Sequence, residues 1–323
     1  MKALSVFSGG LDSMLASEIV RALGIEIQAF FFETPFFTAA KAKESAKILN
    51  LPIKIIDITR KHLEIVKKPK YGYGENMNPC IDCHAFMLRT AGEMLERENA
   101  NFIITGEVLG QRPMSQNRKA LSIIDTESGM KGLILRPLSA KLLPLSIPEE
   151  KAWVERDKLM DFSGRSRKPQ MALAKSLNIT RYPSPAGGCL LTDRIFSRRL
   201  RDLLSSDSGF GRRDIELLRL GRHFRIRPGT KVIIGRNRTE NHSIQSLADI
   251  DDLLLQAVSI PGPTVLMTGQ IGPEAEKLAA MMTLSYSDAE DDKTEEVIAA
   301  IRGERKLLRA KGLDKKVFRK YRI

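Results

Sequence analysis

The sequence predicts an α/β protein with a mostly parallel sheet and helices on both faces over residues 1–193. A smaller, basic α+β domain is expected over residues 194–323. Three observations carry this expectation. Apolar runs of strand character alternate with helix-forming stretches up to residue 139, the pattern left by strand–helix crossovers in a parallel sheet. The first of those runs ends in SGGLDS (8–13), glycines and hydroxyls where a strand should hand over to a helix. Past RYPSPAGGCLLTD (181–193), a loop with two prolines and two glycines, the texture shifts to short strands, a PG turn and dense basic charge.

The expected elements follow in order. KALSVF (2–7) is a buried strand, and 12–23 a helix with Leu11, Leu15, Ile19, Val20 and Leu23 on one side. IEIQAFFF (25–32) is the second strand and TAAKAKESAKILN (38–50), rich in good helix formers, the next helix. PIKIIDI (52–58), NFIITG (101–106) and GLILRPLS (132–139) supply three more strands, and 148–178 reads as helical. In the second domain, 221–245 suggests short strands around a PG turn, PTVLMTG (263–269) another strand and GPEAEKLAAMMTLSY (272–286) a helix. An acidic stretch (287–296) precedes a tail (301–323) with ten Lys or Arg against two acidic residues, expected as a basic helix or a disordered arm. Leu307, Leu308, Leu313, Val317 and Phe318 suggest that this tail packs in part.

Composition narrows the class. Of 323 residues, 42% are apolar and 28% charged, which fits a chain with real cores and argues against disorder. No charge-free apolar run approaches the length needed to cross a bilayer, and the apolar stretch at the N-terminus is too short for a signal peptide. A cytoplasmic protein is therefore expected. The formal net charge of +13 favours a polyanionic partner over a merely solvated basic surface. Three cysteines, an odd number, argue against structural disulfides in such a protein.

The opening loop reads as an anion nest. Gly9 and Gly10 let backbone N–H groups approach a ligand, the helix that follows offers free donors and a positive dipole end, and Ser8 and Ser13 add hydroxyls. Asp12 would repel a phosphate unless it binds Mg²⁺ or orients the loop. The spacing is neither that of a Walker A loop nor that of a dinucleotide fingerprint. The cysteines suggest the accompanying chemistry. NPCIDCHAFMLRTAGEML (78–95) places Cys80 and Cys83 at C-x-x-C spacing before a helix, and Cys189 follows a glycine pair. Three readings stay open: three thiolates on a [4Fe–4S] cluster with one open iron, a persulfide on Cys80 or Cys83 resolved by Cys189, or zinc and structural roles. Loop cysteines near helix N-termini are expected to have lowered pKa values. His84 is either a fourth ligand or a capping or surface histidine.

S-G-G-x-D-S directly after the first strand resembles the pyrophosphate loop of the PP-loop ATP pyrophosphatases. FFFETPFFTAAKAKE (30–44), CIDCHAFMLRTA, ITGEVLGQRPMSQN (104–117) and ILRPLS (134–139) together resemble the tRNA 4-thiouridine synthetase family of that class, over roughly residues 1–193. PSPAGGCLLTD is similar to a cysteine segment of related tRNA thiolation enzymes. The resemblance implies ATP cleaved between its α and β phosphates, with Mg²⁺, and adenylation of a uridine carbonyl oxygen that sulfur then replaces. It implies Ser8, Gly9, Gly10, Asp12 and Ser13 on the phosphates, Phe32 behind the adenine, and Gly106 and Gln116 at the nucleotide, with Arg89 a weaker correspondence. It also implies Asp12, Cys80, Cys83 and Cys189 as catalytic, the three cysteines as candidate cluster ligands, and sulfide or a cysteine desulfurase persulfide as the sulfur donor. Phe31 departs from the family's histidine, and the stretch 112–114 is one residue longer. The family's N-terminal RNA-binding region and any rhodanese-like carrier are not expected here.

VIIGRNRTENHSIQ (232–245) is similar to part of the NFACT-R RNA-binding domain. Arg222, Arg225, Arg227, Lys231, Arg236 and Arg238 crowd one segment and could track a phosphate backbone. His223 and Phe224 could stack on a base, unless Phe224 is simply core. The expected function is an ATP-dependent tRNA sulfurtransferase. The alternatives are a PP-loop ligase or amidase with another acceptor, which the cysteines disfavour, and a nucleotide-regulated RNA-binding factor, which Asp12 disfavours.

Overall fold

The computed structural model describes residues 1–184, 189–206 and 209–323 and forms two units, Met1–Asp193 and Arg194–Ile323. In the first unit the chain runs β1 (Lys2–Val6), α1 (Leu11–Arg21), β2 (Glu26–Glu33), α2 (Ala40–Ile48), β3 (Ile53–Asp57), α3 (Thr59–Lys67), α4 (Cys80–Gly92), β4 (Phe102–Thr105), α5 (Arg118–Ser128), β5 (Ile134–Leu135), α6 (Ile147–Glu150) and α7 (Lys168–Ser176). The five strands form one parallel sheet in the order β3-β2-β1-β4-β5.

Strand alternation builds two cores. Ala3, Ala29, Phe31, Phe102 and Ile104 point to one face, where they pack with Leu11, Met14 and Leu15 of α1 and Ala42 of α2. Leu4, Phe30, Phe32 and Ile103 point to the other, against Leu88 of α4 and Ile124 of α5. Both faces of a parallel sheet are thus covered, which is why its strands read as near-continuous apolar runs. Strand order reverses between β1 and β4, and the segments leaving those two strands depart to opposite faces. That arrangement opens a crevice at their carboxyl ends.

Two expected elements are shorter than the sequence suggested. The fifth strand keeps only Ile134 and Leu135 in the ladder. The helical stretch from 148 collapses to the single turn of α6, closed by a capping box between Ser146 and Glu149. The chain then turns back at Ala152, at positive φ, and the N–H groups of Trp153 and Val154 return to the Pro148 carbonyl. Helix resumes only at α7.

The second unit contains α8 (Arg194–Ser206), α9 (Arg212–Leu217), β6 (Arg222–Arg227), β7 (Thr230–Ile234), α10 (Arg238–Leu247), β8 (Leu253–Ala257), β9 (Val265–Gly269), α11 (Pro273–Ser285), β10 (Thr294–Ile301) and β11 (Glu304–Lys311). Its six strands are antiparallel, in the order β11-β10-β8-β9-β7-β6. The core lies between this sheet and α11, with Phe224, Val265, Met267, Ala279, Val297 and Phe318 buried in it. The basic tail is neither helix nor free arm. Its first half is β11, paired residue for residue with β10; one basic residue lies across from an acidic one, Arg309 opposite Glu296, and their side chains meet at 3.3 Å. A short 3₁₀ segment (Lys315–Tyr321) then buries Phe318. The stretch expected as strands through 245 is instead α10 from Arg238, because Asn237 caps it by accepting from the Glu240 N–H.

Among the described residues no helix is long and apolar enough to cross a membrane.

Candidate nucleotide and sulfur site

The loop after β1 is shaped by close backbone approach. Gly9 has φ +75°, and a Cβ there would lie 2.6 Å from the Ala42 Cα of α2, so only glycine fits. α2 also holds the loop from behind, since Ser45 Oγ donates to the Gly9 carbonyl at 2.7 Å. Gly10 is the N-cap of α1 and offers no side-chain cap to the first helical turn. Ser13 Oγ donates to the Gly10 carbonyl (2.8 Å), and Ser8 Oγ lies 3.2 Å from Ser13 Oγ while accepting from the Gly10 N–H. The result is an uncapped helix start ringed by hydroxyls at the mouth of the crevice.

β4 reaches the same point. A Cβ on Gly106 would stand 2.5 Å from the Ser13 nitrogen, so glycine here lets the end of β4 touch the start of α1. The segment that follows ties the loop down. Gln111 Nε2 donates to Asp12 Oδ2 at 2.8 Å, while Asp12 Oδ1 is buried with no hydrogen-bond partner among the described residues. Gln116 is buried too; its backbone closes the turn from Gly110, and its Oε1 has no partner among the described residues. Phe32 is only 2% exposed and packs with Phe30 and Leu88, so it has almost no free face to offer a base. Arg89 lies further along α4 and donates to the Glu127 carbonyl.

The cysteines come together from two distant segments. Cys80 opens α4 and Cys83 follows one turn on, while Cys189 precedes a single 3₁₀ turn (Leu190–Thr192). That turn is laced to the residues before α4, with the Met77 N–H on the Leu191 carbonyl (3.1 Å) and Asn76 Nδ2 on the Thr192 carbonyl (2.9 Å). Gly187 and Gly188 lie outside the described residues. Asn78 Nδ2 donates to Cys80 Sγ (3.2 Å), and Cys83 Sγ sits 2.9 Å from His62 Nε2.

The expected lowering of thiol pKa values is overturned at two of the three positions. Burial pushes the Cys83 thiol well up, and the neighbouring Cys189 and Cys80 push it further. Burial raises Cys189 to about 11, with Cys80 adding to the shift and the Leu191 backbone N–H and Arg112 opposing it. Desolvation outweighs a helix N-terminus here. The three sulfurs therefore lie within one another's field. Among the described residues, however, no three His, Cys, Asp or Glu side chains converge to hold a single metal ion. His62, in α3, is the residue that sequence reasoning passed over. Burial lowers it to about 4, so it stands neutral beside Cys83.

A second missed feature joins the cysteine helix to the end of β4. His84 Nδ1 lies 2.6 Å from Glu107 Oε1, one residue past Gly106. Glu107 Oε2 accepts from Arg136 Nε at 2.9 Å, and Arg136 forks onto Asp125 at 3.0 and 2.6 Å. Burial pushes the Glu107 carboxyl up, but Arg136 and His84 outweigh it and hold the group at about 2. His84 is accordingly tethered, neither a cap nor a free surface residue. An arginine inside the apolar ILRPLS run was the available signal.

In the second unit the six basic residues separate. Lys231 is buried and, with Arg225, is engaged by Asp202 (3.5 and 2.7 Å), so this pair serves the interior of the domain. Arg227 bonds to Thr230 Oγ1 and the Gln270 carbonyl. Arg222, Arg236 and Arg238 line one cleft. His223 and Phe224 are each 1% exposed, so neither can stack on a base; His223 Nε2 donates to the Leu220 carbonyl, and Phe224 is core.

Residues 1–141 match the family model described as thiamine biosynthesis protein (ThiI), and residues 221–322 match the NFACT protein RNA binding domain. The chain is 33% identical over 150 residues to a probable tRNA sulfurtransferase of Geobacillus kaustophilus, covering 42% of this chain and 34% of that protein. It is 29% identical over 160 residues to one of Lysinibacillus sphaericus, covering 46% and 38%. The chain thus spans little more than a third of the length of the curated relatives it matches. A crystal structure described as a 4-thiouridine synthetase–RNA complex with bound ATP overlays at TM-score 0.37, with 21% identity over 55% of this chain and 51% of that one. The first unit therefore resembles the PP-loop enzymes of tRNA thiolation, and the second resembles an RNA-binding domain of NFACT proteins.

Proposed function

We propose that the protein is an ATP-dependent sulfurtransferase that forms a thiouridine in tRNA. One observation supports this reading above the others. Gln111 holds Asp12 of the phosphate loop, and Met114 of the same segment meets Asn78 Nδ2 (3.6 Å), which also donates to Cys80 Sγ. A single loop thereby links an anion-binding helix start to a set of three thiols, the juxtaposition that activation followed by sulfur transfer needs.

The uncapped start of α1, with Ser8 and Ser13, receives the β and γ phosphates of ATP and stabilises pyrophosphate as it leaves. Asp12 Oδ1, buried with no partner among the described residues, fits a Mg²⁺ that would offset the repulsion between this carboxylate and the phosphates. The uridine carbonyl oxygen attacks the α-phosphorus, the bond to the bridging oxygen breaks, and the base becomes an adenylate. Sulfide adds at the activated carbon, and AMP departs with the original oxygen. The uridine must be unstacked to be reached.

The donor set also bears on how sulfur is held. Two of the three thiols resist ionisation because they are buried beside one another, which suits a group that brings positive charge. Cys80, Cys83 and Cys189 would hold a [4Fe–4S] cluster, which would supply an open iron for sulfide, delivered as such or released from a desulfurase persulfide by a dithiol reductant. His62 packs against Cys83 as a neutral partner, and Asn78 orients Cys80.

The test separates the half-reactions. In a reconstituted assay Asp12→Ala should abolish RNA-dependent pyrophosphate release and thionucleoside formation together. Cys189→Ser should keep pyrophosphate release while losing the thionucleoside. Full thiolation by Cys189→Ser would overturn the role given to sulfur.

A further inference from the structure

We infer that the second unit carries a site for unpaired RNA: a cleft that takes a phosphate together with an unstacked base, and not the side of a double helix. This rests on the RNA reading of that unit and goes beyond it by naming the site and the form of RNA.

The cleft has a volume of about 710 Å³, and seven of its fifteen lining residues are basic, with no carboxylate among them. Seven like charges around one opening repel one another, and the fold does little to relieve this. Arg236 is paired with Glu240, and Lys316 lies 3.6 Å from Asp314. Arg238, Arg319 and Arg322 make no ion pair with any described residue. An anion in the cleft removes the repulsion, whereas water only screens it. α10 opens into the same cleft through Asn237 and Arg238, so ten residues of helix aim their positive end there.

The aromatic element decides the form of RNA. Tyr286 lines the cleft with the Arg222 guanidinium 5.3 Å and the Lys315 ammonium 5.6 Å from its ring centre, and Phe224 braces it from the core at 5.8 Å. A guanidinium over a braced ring is a flat platform of the kind on which RNA bases stack. In an A-form duplex each base face is already covered by its neighbours, so this platform is useless to a double helix. The volume agrees, since it lies in the range of small-molecule pockets and accommodates roughly one or two nucleotides.

The experiment uses the full chain and fluorescence anisotropy, with a labelled single-stranded RNA decamer and the duplex formed from it. The single strand is expected to bind about tenfold tighter or more, because stacking on an aromatic platform contributes on that order per base. Tyr286→Leu, which keeps an apolar contact with Phe224, should weaken the single strand about tenfold and leave the duplex unchanged. Arg238→Gln with Arg319→Gln, both on the surface, should weaken the single strand, lower its salt slope by about 1.4 and cost the duplex less. Thermal melts identify any variant that fails to fold, and the strand-against-duplex comparison with the double glutamine variant then carries the test. Equal binding of strand and duplex, or an equal loss for both with Tyr286→Leu, overturns the inference while leaving RNA binding intact. No binding of either RNA overturns the RNA reading of the unit as well.

Discussion

In the first unit a buried arginine, Arg136, is clamped between two carboxylates, and the histidine at the far end of that chain sits on the cysteine helix. In the second unit Arg238, Arg319 and Arg322 stand around an open cleft with no described anion beside them. The contrast separates two uses of charge. Charges buried in pairs fix geometry, because breaking one pair strands an ion in a medium of low dielectric. Charges left unpaired at a surface add little to the fold and remain free for a partner. The cluster around Arg136 thus holds atoms in register, and the arginines around the cleft stay open to an anion.

The largest effect should come from disturbing that register without touching charge. Gly106→Ala places a Cβ against the Ser13 nitrogen, so either β4 or the start of α1 must move. Displacement on this scale costs about 100-fold in rate when reacting groups are held in line. Pyrophosphate release should fall by that order, with RNA affinity unchanged because the cleft lies in the other unit. A variant of wild-type activity would show that the approach of β4 to the loop is incidental.

A smaller effect separates the units by pH. Glu107 is held at about 2 against an ordinary 4.5. Its stabilisation is therefore complete above 4.5 and disappears as pH falls toward 2, a loss on the order of 3 kcal/mol. His223 works in a different window. Burial, with Lys231 and Arg199 adding, holds its ring well below the ordinary 6.5. The unfolded chain therefore takes up that proton first, and stability falls as pH drops below 6.5. Trp153, the single tryptophan, reports the first unit by fluorescence. Between pH 4.5 and 2, Glu107→Gln should flatten the unfolding curve it reports. His223→Gln should flatten only the loss below 6.5, followed by circular dichroism. If either variant keeps the wild-type slope in its window, the charge assignment at that site is wrong.

How much of this was readable in advance follows from the range of each interaction. The parallel sheet was legible because strand and helix periods are local, and SGGLDS because a strand, two glycines and a helix start are contiguous. The strut from His84 to Asp125 was not. Glu107 and Arg136 meet only because β5 lies beside β4, and no local pattern announces strand order. The tail misled for a similar reason: β11 looks like a basic helix until it is paired with the largely apolar β10, a neighbour that no local pattern announces. The cysteine pKa directions were missed because position at a helix start is visible in sequence, whereas burial is not. His223 and Phe224 failed in the same way, as ring chemistry was legible and their place in the core was not.

The central claim is that one polypeptide activates a uridine with ATP in its first unit and replaces the oxygen with sulfur from the cysteine set. Mass spectrometry of tRNA nucleosides from cells with and without the gene tests it most directly. One thiouridine should vanish on deletion, return with the wild-type gene, and stay absent with Asp12→Ala or Cys189→Ser. An unchanged nucleoside profile on deletion would contradict the account.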